Sequence, residues 1–292
     1  MNILEKVNQQ GLIFDGAMGS MLIAAGLSGG QASEIWNIEK PEVIEGIHRA
    51  YFEAGADVAT ANTFGASTLK LERMGITVPA EQINAAAVAI ARKAAGAGCY
   101  VAADMGPLGE MLKPAGLLSV DEAVSAYAHQ AGLLADAGVD GFILETFFDL
   151  NEILAAIRGI RRVSSLPIFA TMTFQKMKKG FFTIMGNSPM ESMTQMLDAG
   201  ADVVGANCSL ASDTMIDLAK EIRGSIDAPI IIQPNAGAPQ TVGDRIVYPE
   251  SEDYFSDNII KLKELGVNVV GGCCGTTPDF IRKMAEKIAN LK

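Results

Sequence analysis

The sequence predicts an α/β protein, a single (β/α)8 barrel of the TIM type over residues 1–292, with its active site at the carboxyl ends of the strands. Three observations lead there. Short apolar or β-branched runs alternate with helix-length segments of 3.6-residue periodicity, the pattern of a parallel sheet with crossover helices. Eight such pairs follow one another with no linker-like or low-complexity stretch, which favours a closed barrel over an open sheet. Four segments, AGADVATANT, AGVDGFILET, AGADVVGANC and LGVNVVGGCC, also align without gaps on Gly55, Gly138, Gly200 and Gly266, a weak internal repeat.

Taken in order, the apolar run 12–15 is the first strand and leads to a helix over 41–53; 58–63 leads to 81–95, 100–104 to 120–136, and 141–146 to 151–163. The second half repeats the scheme, with 167–173 leading to 190–198, 203–208 to 213–224, 229–234 to 253–265, and 267–273 to 277–291. Each repeat glycine closes a helix before the next strand. Seven residues beyond those glycines stand Asn62, Glu145, Asn207 and Cys273, and eight beyond stand Thr63, Thr146, Cys208 and Cys274. The four strands therefore share a register that gathers polar residues at their carboxyl ends. The segments leaving strands one (16–40), two (64–80), five (174–189) and seven (235–250) are long, so this face is expected to carry a lidded site.

Composition narrows the chemistry. Hydrophobic residues make up 49% and charged residues 20%, enough apolar surface for a large core. The 23 Lys+Arg against 34 Asp+Glu give a net charge of −11, which counts against nucleic-acid or anionic-membrane partners and favours small-molecule chemistry. The start MNILEKVNQQ is polar, and no apolar run approaches the roughly 20 residues that span a bilayer, so a cytoplasmic location is expected. In a reducing compartment, grouped cysteines point to metal or catalysis rather than to disulfides.

Of the four cysteines, Cys208 ends strand six and the adjacent pair Cys273 and Cys274 ends strand eight. Both strands are even-numbered, so their side chains fall in the same barrel layers and three sulfurs can converge above strand seven. Three soft thiolates without histidine favour Zn2+ and leave its fourth position open. Buried apolar cysteines or a redox dithiol are the alternatives, although adjacent cysteines bridge only with strain. Cys99 opens strand three at the opposite end. His48 and His129 lie within helices, away from strand ends, and read as packed or solvent-facing. The KMKK run after strand five reads as a solvated loop.

The strings DGAMGS (15–20), ANTFGAS (61–67), LETF (144–147), GANCS (205–209), QPNAG (233–237) and GGCCGTTP (271–278) occur in this order along the chain. In them the sequence resembles the zinc-dependent homocysteine S-methyltransferase family, which includes the homocysteine module of cobalamin-dependent methionine synthase and the betaine- and S-methylmethionine-using enzymes. The resemblance implies a (β/α)8 barrel with Cys208, Cys273 and Cys274 as zinc ligands and catalytic centre. It also implies that Asp15 and Glu145 meet the ammonium of L-homocysteine, while the backbone N–H groups of Gly16 and Ala17 meet its carboxylate. Asn62, Asp104, Asn207 and Asn235 are expected to line the same mouth; the Asn235 amide oxygen, or a water it orients, holds the fourth metal position until substrate arrives, or else Asn235 only shapes the PNAG turn.

The scheme is chemically consistent. A free thiol titrates near ~8.5 and reacts as thiolate, and metal coordination removes its proton at neutral pH, so no histidine base is needed. The expected reaction is methyl transfer to homocysteine, giving methionine. The expected donor is S-methylmethionine or methylcobalamin carried by a separate corrinoid protein, unless the chain is a module excised from a larger enzyme. Betaine is disfavoured, because the single Trp36 and scattered Tyr and Phe assemble no evident cage for a quaternary ammonium. The alternatives are another thiol or selenol acceptor, or a zinc-stabilised binding protein without catalysis.

Overall fold

A computed structural model describes residues 1–243 and 245–291 of the chain. The barrel strands are β1 (Leu12–Ile13), β2 (Val58–Thr60), β3 (Tyr100–Met105), β4 (Gly141–Phe147), β5 (Ile168–Met172), β6 (Val203–Ala211), β7 (Ile230–Asn235) and β8 (Val269–Val270). All eight pair in parallel in the order β1-β8-β7-β6-β5-β4-β3-β2, and a bridge from Phe14 to Val58 joins the two ends. This is the (β/α)8 barrel the sequence predicts. A helix follows every strand, from Pro41–Glu53 after β1 to Pro278–Ala289 after β8. Among the described residues no helix is long and apolar enough to cross a membrane.

Alternation along the strands builds two cores. Val58, Ala102, Ile143, Phe169, Val203, Ile231 and Val269 meet inside the barrel with Leu12 and Phe14, and Phe14 sets its ring edge against Phe169 at 5.2 Å between centroids. The amino-terminal helix Ile3–Gln9 adds Ile3 and Val7 to that inner cluster. Leu144, Ala170, Val204, Ile232 and Val270, one position further along their strands, pack instead against the helices. A second step along β2, β3, β4, β5 and β7 returns inward and reaches Thr60, Asp104, Glu145, Thr171 and Gln233. The inner apolar layer is thus roofed by a polar one, on the face where the long loops lie.

The differences from expectation are local. The first and last strands keep only two ladder residues each, because the chain beyond Phe14 and Val270 turns away to build the mouth. β6 runs past its expected end to Ala211, with an irregular register between Asn207 and Ala211. Two of the long loops contain hairpins, Gln175–Met177 with Gly180–Phe182 and Gln240–Val242 with Arg245–Val247. The repeat glycines Gly55, Gly138, Gly200 and Gly266 all adopt positive φ, as helix-closing residues do.

Candidate metal and substrate site

The register of β6 carries Cys208 to the mouth, and a local twist aims it. Cys208 and Ser209 hold φ of 59° and 62°, a left-handed conformation rare for non-glycine residues and placed where the ladder with β7 becomes irregular. Cys273 and Cys274 sit in the turn after β8. That turn is fastened to β7 by two backbone bonds, Cys273 N–H to the Pro234 carbonyl at 2.8 Å and Ala236 N–H to the Cys274 carbonyl at 3.0 Å. The Thr276 hydroxyl closes the turn by donating to the Cys273 carbonyl at 2.7 Å.

The three sulfurs lie within 4.8 Å of one another, and Cys208 Sγ is 3.9 Å from Cys274 Sγ. Tetrahedral zinc with bonds of about 2.3 Å requires sulfurs about 3.8 Å apart, so the donor set fits the ion in chemistry and in span. Hydrogen bonds from the Cys208 and Cys273 thiols hold Cys274 down to about 3, while Cys273 is pushed up by its bonds to the other two and by burial. Cys274 is therefore the sulfur that gives up its proton first, while Cys208 and Cys273 are raised and keep theirs. Asn207 steadies the cluster: its side-chain nitrogen approaches Cys273 Sγ at 3.8 Å and donates to the Thr146 hydroxyl, while its oxygen accepts from Thr146 N–H and the Thr171 hydroxyl, both at 2.8 Å.

Beside the sulfurs opens a cavity of about 280 Å3 walled by Asp15, Asp104 and Glu145 among others. Its size is at the small end for ligand pockets and suits an amino acid. Asp15 is buried; Thr60 N–H donates to one of its oxygens at 2.8 Å and the Thr60 hydroxyl to the other at 2.7 Å, yet burial still pushes its pKa up to about 7. Glu145 is pushed up to about 8 by burial and by the Asp15 charge. Asp104 is raised as well, by burial first and then by Glu145 and the buried Glu34. A cavity this rich in carboxylates is poised for a cation.

The other expected residues fall as follows. Asn62 lines the cavity and ties the first long loop, donating to the Ser33 carbonyl and to Asn37 Oδ1, each at 3.0 Å. Gly16 and Ala17 form part of the wall, with Ala17 N–H already donating to the Thr276 hydroxyl at 3.2 Å. Asn235 ends β7 next to the cysteine turn; its Oδ1 is buried without a hydrogen-bond partner, and the residue is not part of this cavity's wall. His48 is fully buried with neither ring nitrogen partnered, and His129 stands by Glu81 on the surface. Neither touches the site.

Sequence reasoning passed over several contributors. Thr60 and Gln233 lie two residues beyond interior apolar positions, so strand alternation could have found them. Glu34, which accepts from Gly65 N–H, comes from the first loop and had no local signal. Tyr248 was equally hidden: its ring lies over Gly275, where a Cβ would come within 2.3 Å of it, and burial together with the Cys274 charge raises its phenol pKa.

Residues 12–288 match the family model described as homocysteine S-methyltransferase. The methionine synthases of Mycobacterium tuberculosis and Mycobacterium leprae are each 32% identical, over 100% and 99% of this chain and 26% and 25% of their own length. The chain thus spans about a quarter of these relatives. The crystal structure of the homocysteine methyltransferase MmuM from Escherichia coli in its metallated form shares the fold, with a TM-score of 0.80, 22% identity and 98% of both chains covered.

Proposed function

The chain belongs to the homocysteine S-methyltransferase family, and from that premise we propose that it transfers a methyl group to the thiolate of L-homocysteine to form methionine. The observation that carries this reading is the juxtaposition of a three-sulfur cluster with a small acid-lined cavity, Cys208, Cys273, Cys274, Asp15 and Glu145 sharing one wall. Zinc held by Cys208, Cys273 and Cys274 would supply a Lewis acid that favours a deprotonated substrate thiol at neutral pH. The residues do the rest. Glu145 and Asp15 draw the ammonium, the DGAMG turn with Gly16 and Ala17 meets the carboxylate, Asn62 fixes the loop that covers them, and the amino-acid end is thereby anchored with its sulfur toward the cysteines. Orientation of this kind supplies much of the rate of a two-substrate displacement. In the transfer the sulfur lone pair forms the new S–C bond as the donor–methyl bond breaks.

The donor is S-methylmethionine or methylcobalamin on a corrinoid protein or domain. Ile184, Met185, Val242 and Ile246, on the loops that follow β5 and β7, are exposed apolar side chains that contact with a macromolecule would cover. Residues 1–292 act as one barrel unit. Free thiols at the centre fit the reducing cytoplasm.

The test offers homocysteine with S-methylmethionine, S-adenosylmethionine, betaine and methylcobalamin in turn to zinc-loaded protein. Methionine should form with S-methylmethionine or methylcobalamin. Absence of product with every donor, or product only with another thiol or a selenol, overturns the reading. Chelation should abolish activity while leaving the circular dichroism of the barrel intact; unfolding on chelation would mark the metal as structural instead.

A further inference from the structure

A separate cavity of about 200 Å3 opens at the amino end of the barrel, on the face opposite the cysteines, and Lys6, Gln10, Gly11, Asp57 and Lys263 line part of it. Two of its charged groups satisfy each other: Lys6 pairs with Asp57 at 2.5 Å, and Asp57 also accepts from Ile13 N–H at 2.9 Å. Lys263 lacks such a counter-ion. It stands in the last turn of the helix Glu252–Glu264, and among the described residues its ammonium pairs with no carboxylate. Its hydrogen bond goes to the neutral Asn268 carbonyl at 3.1 Å, an oxygen that Leu12 N–H already uses at the same distance. Gly11 gives the amine its room, for its φ is 77° and a Cβ there would stand 2.6 Å from Lys263 Nζ. Burial without a counter-ion disfavours the charged form, and it pulls the Lys263 amine below the usual lysine range. An amine held in this way is a readier nucleophile than a solvated one.

We propose that Lys263 is an acylation site, its Nζ taking the acyl group of a small acyl phosphate that enters this cavity. In the step the unprotonated nitrogen forms an N–C bond to the acyl carbon while the C–O bond to phosphate breaks. The electron pair of that bond leaves with the phosphate, which also takes the proton shed by the nitrogen. Charge selects the donor class. In a protein of net charge −11 this cavity sets two lysines against one aspartate, so it draws a small anion. Lys6 gives Asp57 one of its three N–H donors and has others for the phosphate. The product suits the site, because an amide carries no charge to bury and keeps one N–H for the Asn268 carbonyl.

The test incubates the full chain with acetyl phosphate at neutral pH and follows acetylation of each lysine by mass spectrometry. Lys263 should react at least about tenfold faster than the exposed Lys178 and Lys179. Lys6→Gln should slow Lys263 several-fold with acetyl phosphate yet leave its rate with p-nitrophenyl acetate, an uncharged donor, unchanged, because burial is what activates the amine. A Lys263 rate no higher than those of Lys178 and Lys179, or a Lys6→Gln variant that slows with both donors or with neither, overturns the proposal. Should the variant not fold, inorganic phosphate is added to the wild-type chain against chloride at equal ionic strength. Phosphate should protect Lys263 from acetyl phosphate and not from p-nitrophenyl acetate; absence of that selective protection refutes the site.

Discussion

Replacing Gly16 by alanine tests how tightly the DGAMG turn is locked to the cysteine turn. A Cβ at Gly16 would stand 2.7 Å from Thr276 Oγ1 and 2.9 Å from the Tyr51 ring. Neither neighbour can yield cheaply. Both are fully buried; the Tyr51 hydroxyl donates to the carbonyls of Ala17 and Thr276 at 3.2 and 3.1 Å, and the Thr276 hydroxyl holds the Cys273 carbonyl. Overpacking of this kind costs about 1–3 kcal/mol, and each hydrogen bond broken to relieve it costs about 1 kcal/mol more. For a chain of this size that amounts to a fall in melting temperature of about 3–10 °C. Because the displaced threonine supports Cys273, zinc affinity should fall too. Denaturation of zinc-loaded wild type, Gly16→Ala, Thr276→Ala and the double variant measures both effects, and the double variant should be less destabilised than the sum of the singles, since removing the Thr276 hydroxyl removes one clash. A Gly16→Ala protein within about 0.5 kcal/mol of wild type, with unchanged zinc affinity, would refute this coupling.

Other outcomes follow from the same geometry. Purified protein should carry about one zinc per chain; Cys208→Ser, Cys273→Ser and Cys274→Ser should each lose it on metal analysis, whereas Cys99→Ala, at the amino end of β3, should keep it. Burial raises Asp15 to about 7 and Glu145 to about 8, so between roughly pH 4 and 8 the folded state binds more protons than the unfolded one and stability falls as pH rises through that window. Glu145→Gln should flatten the upper part of that slope in urea midpoints of substrate-free protein and weaken homocysteine binding about ten- to a hundredfold. If the Asn235 oxygen, buried without a partner beside the cysteine turn, serves as the substrate-free fourth ligand, zinc-edge absorption should show three sulfurs and one oxygen giving way to four sulfurs with homocysteine. An identical substrate-free spectrum in Asn235→Ala assigns that position to another group.

The barrel was legible because its signals are local. Alternating runs marked all eight strands in order, and the glycine repeat placed Cys208 and Cys274 in equivalent register, which is why three sulfurs far apart in sequence could be expected within bonding distance of one ion. What stayed hidden is set by contacts between distant segments. Nothing near Asp15 announces Thr60 as its partner, and nothing in GGCCGTTP announces that Tyr248 covers Gly275. The two hairpins were also missed, since short exposed pairs such as Gln175–Met177 with Gly180–Phe182 bury too little to impose a periodic pattern.

The acidic cavity also explains why the fold tolerates an unfavourable arrangement. Asp15, Asp104 and Glu145 repel one another out of full contact with water, and Lys70, whose ammonium rests over the Phe64 ring at 4.5 Å, moderates Asp104. Burial of like charges without a counter-ion raises their pKa values and costs stability, so the arrangement is favourable only when a cation enters or protons remain bound. At the cysteine cluster, three sulfurs in contact can all lose their protons only when a divalent ion offsets the charge. Two cation deficits stand side by side in one cavity, one lined with soft sulfur and the other with hard oxygen. The proposed substrate, an amino-acid thiol, would answer the oxygen side with its ammonium while presenting sulfur to the other.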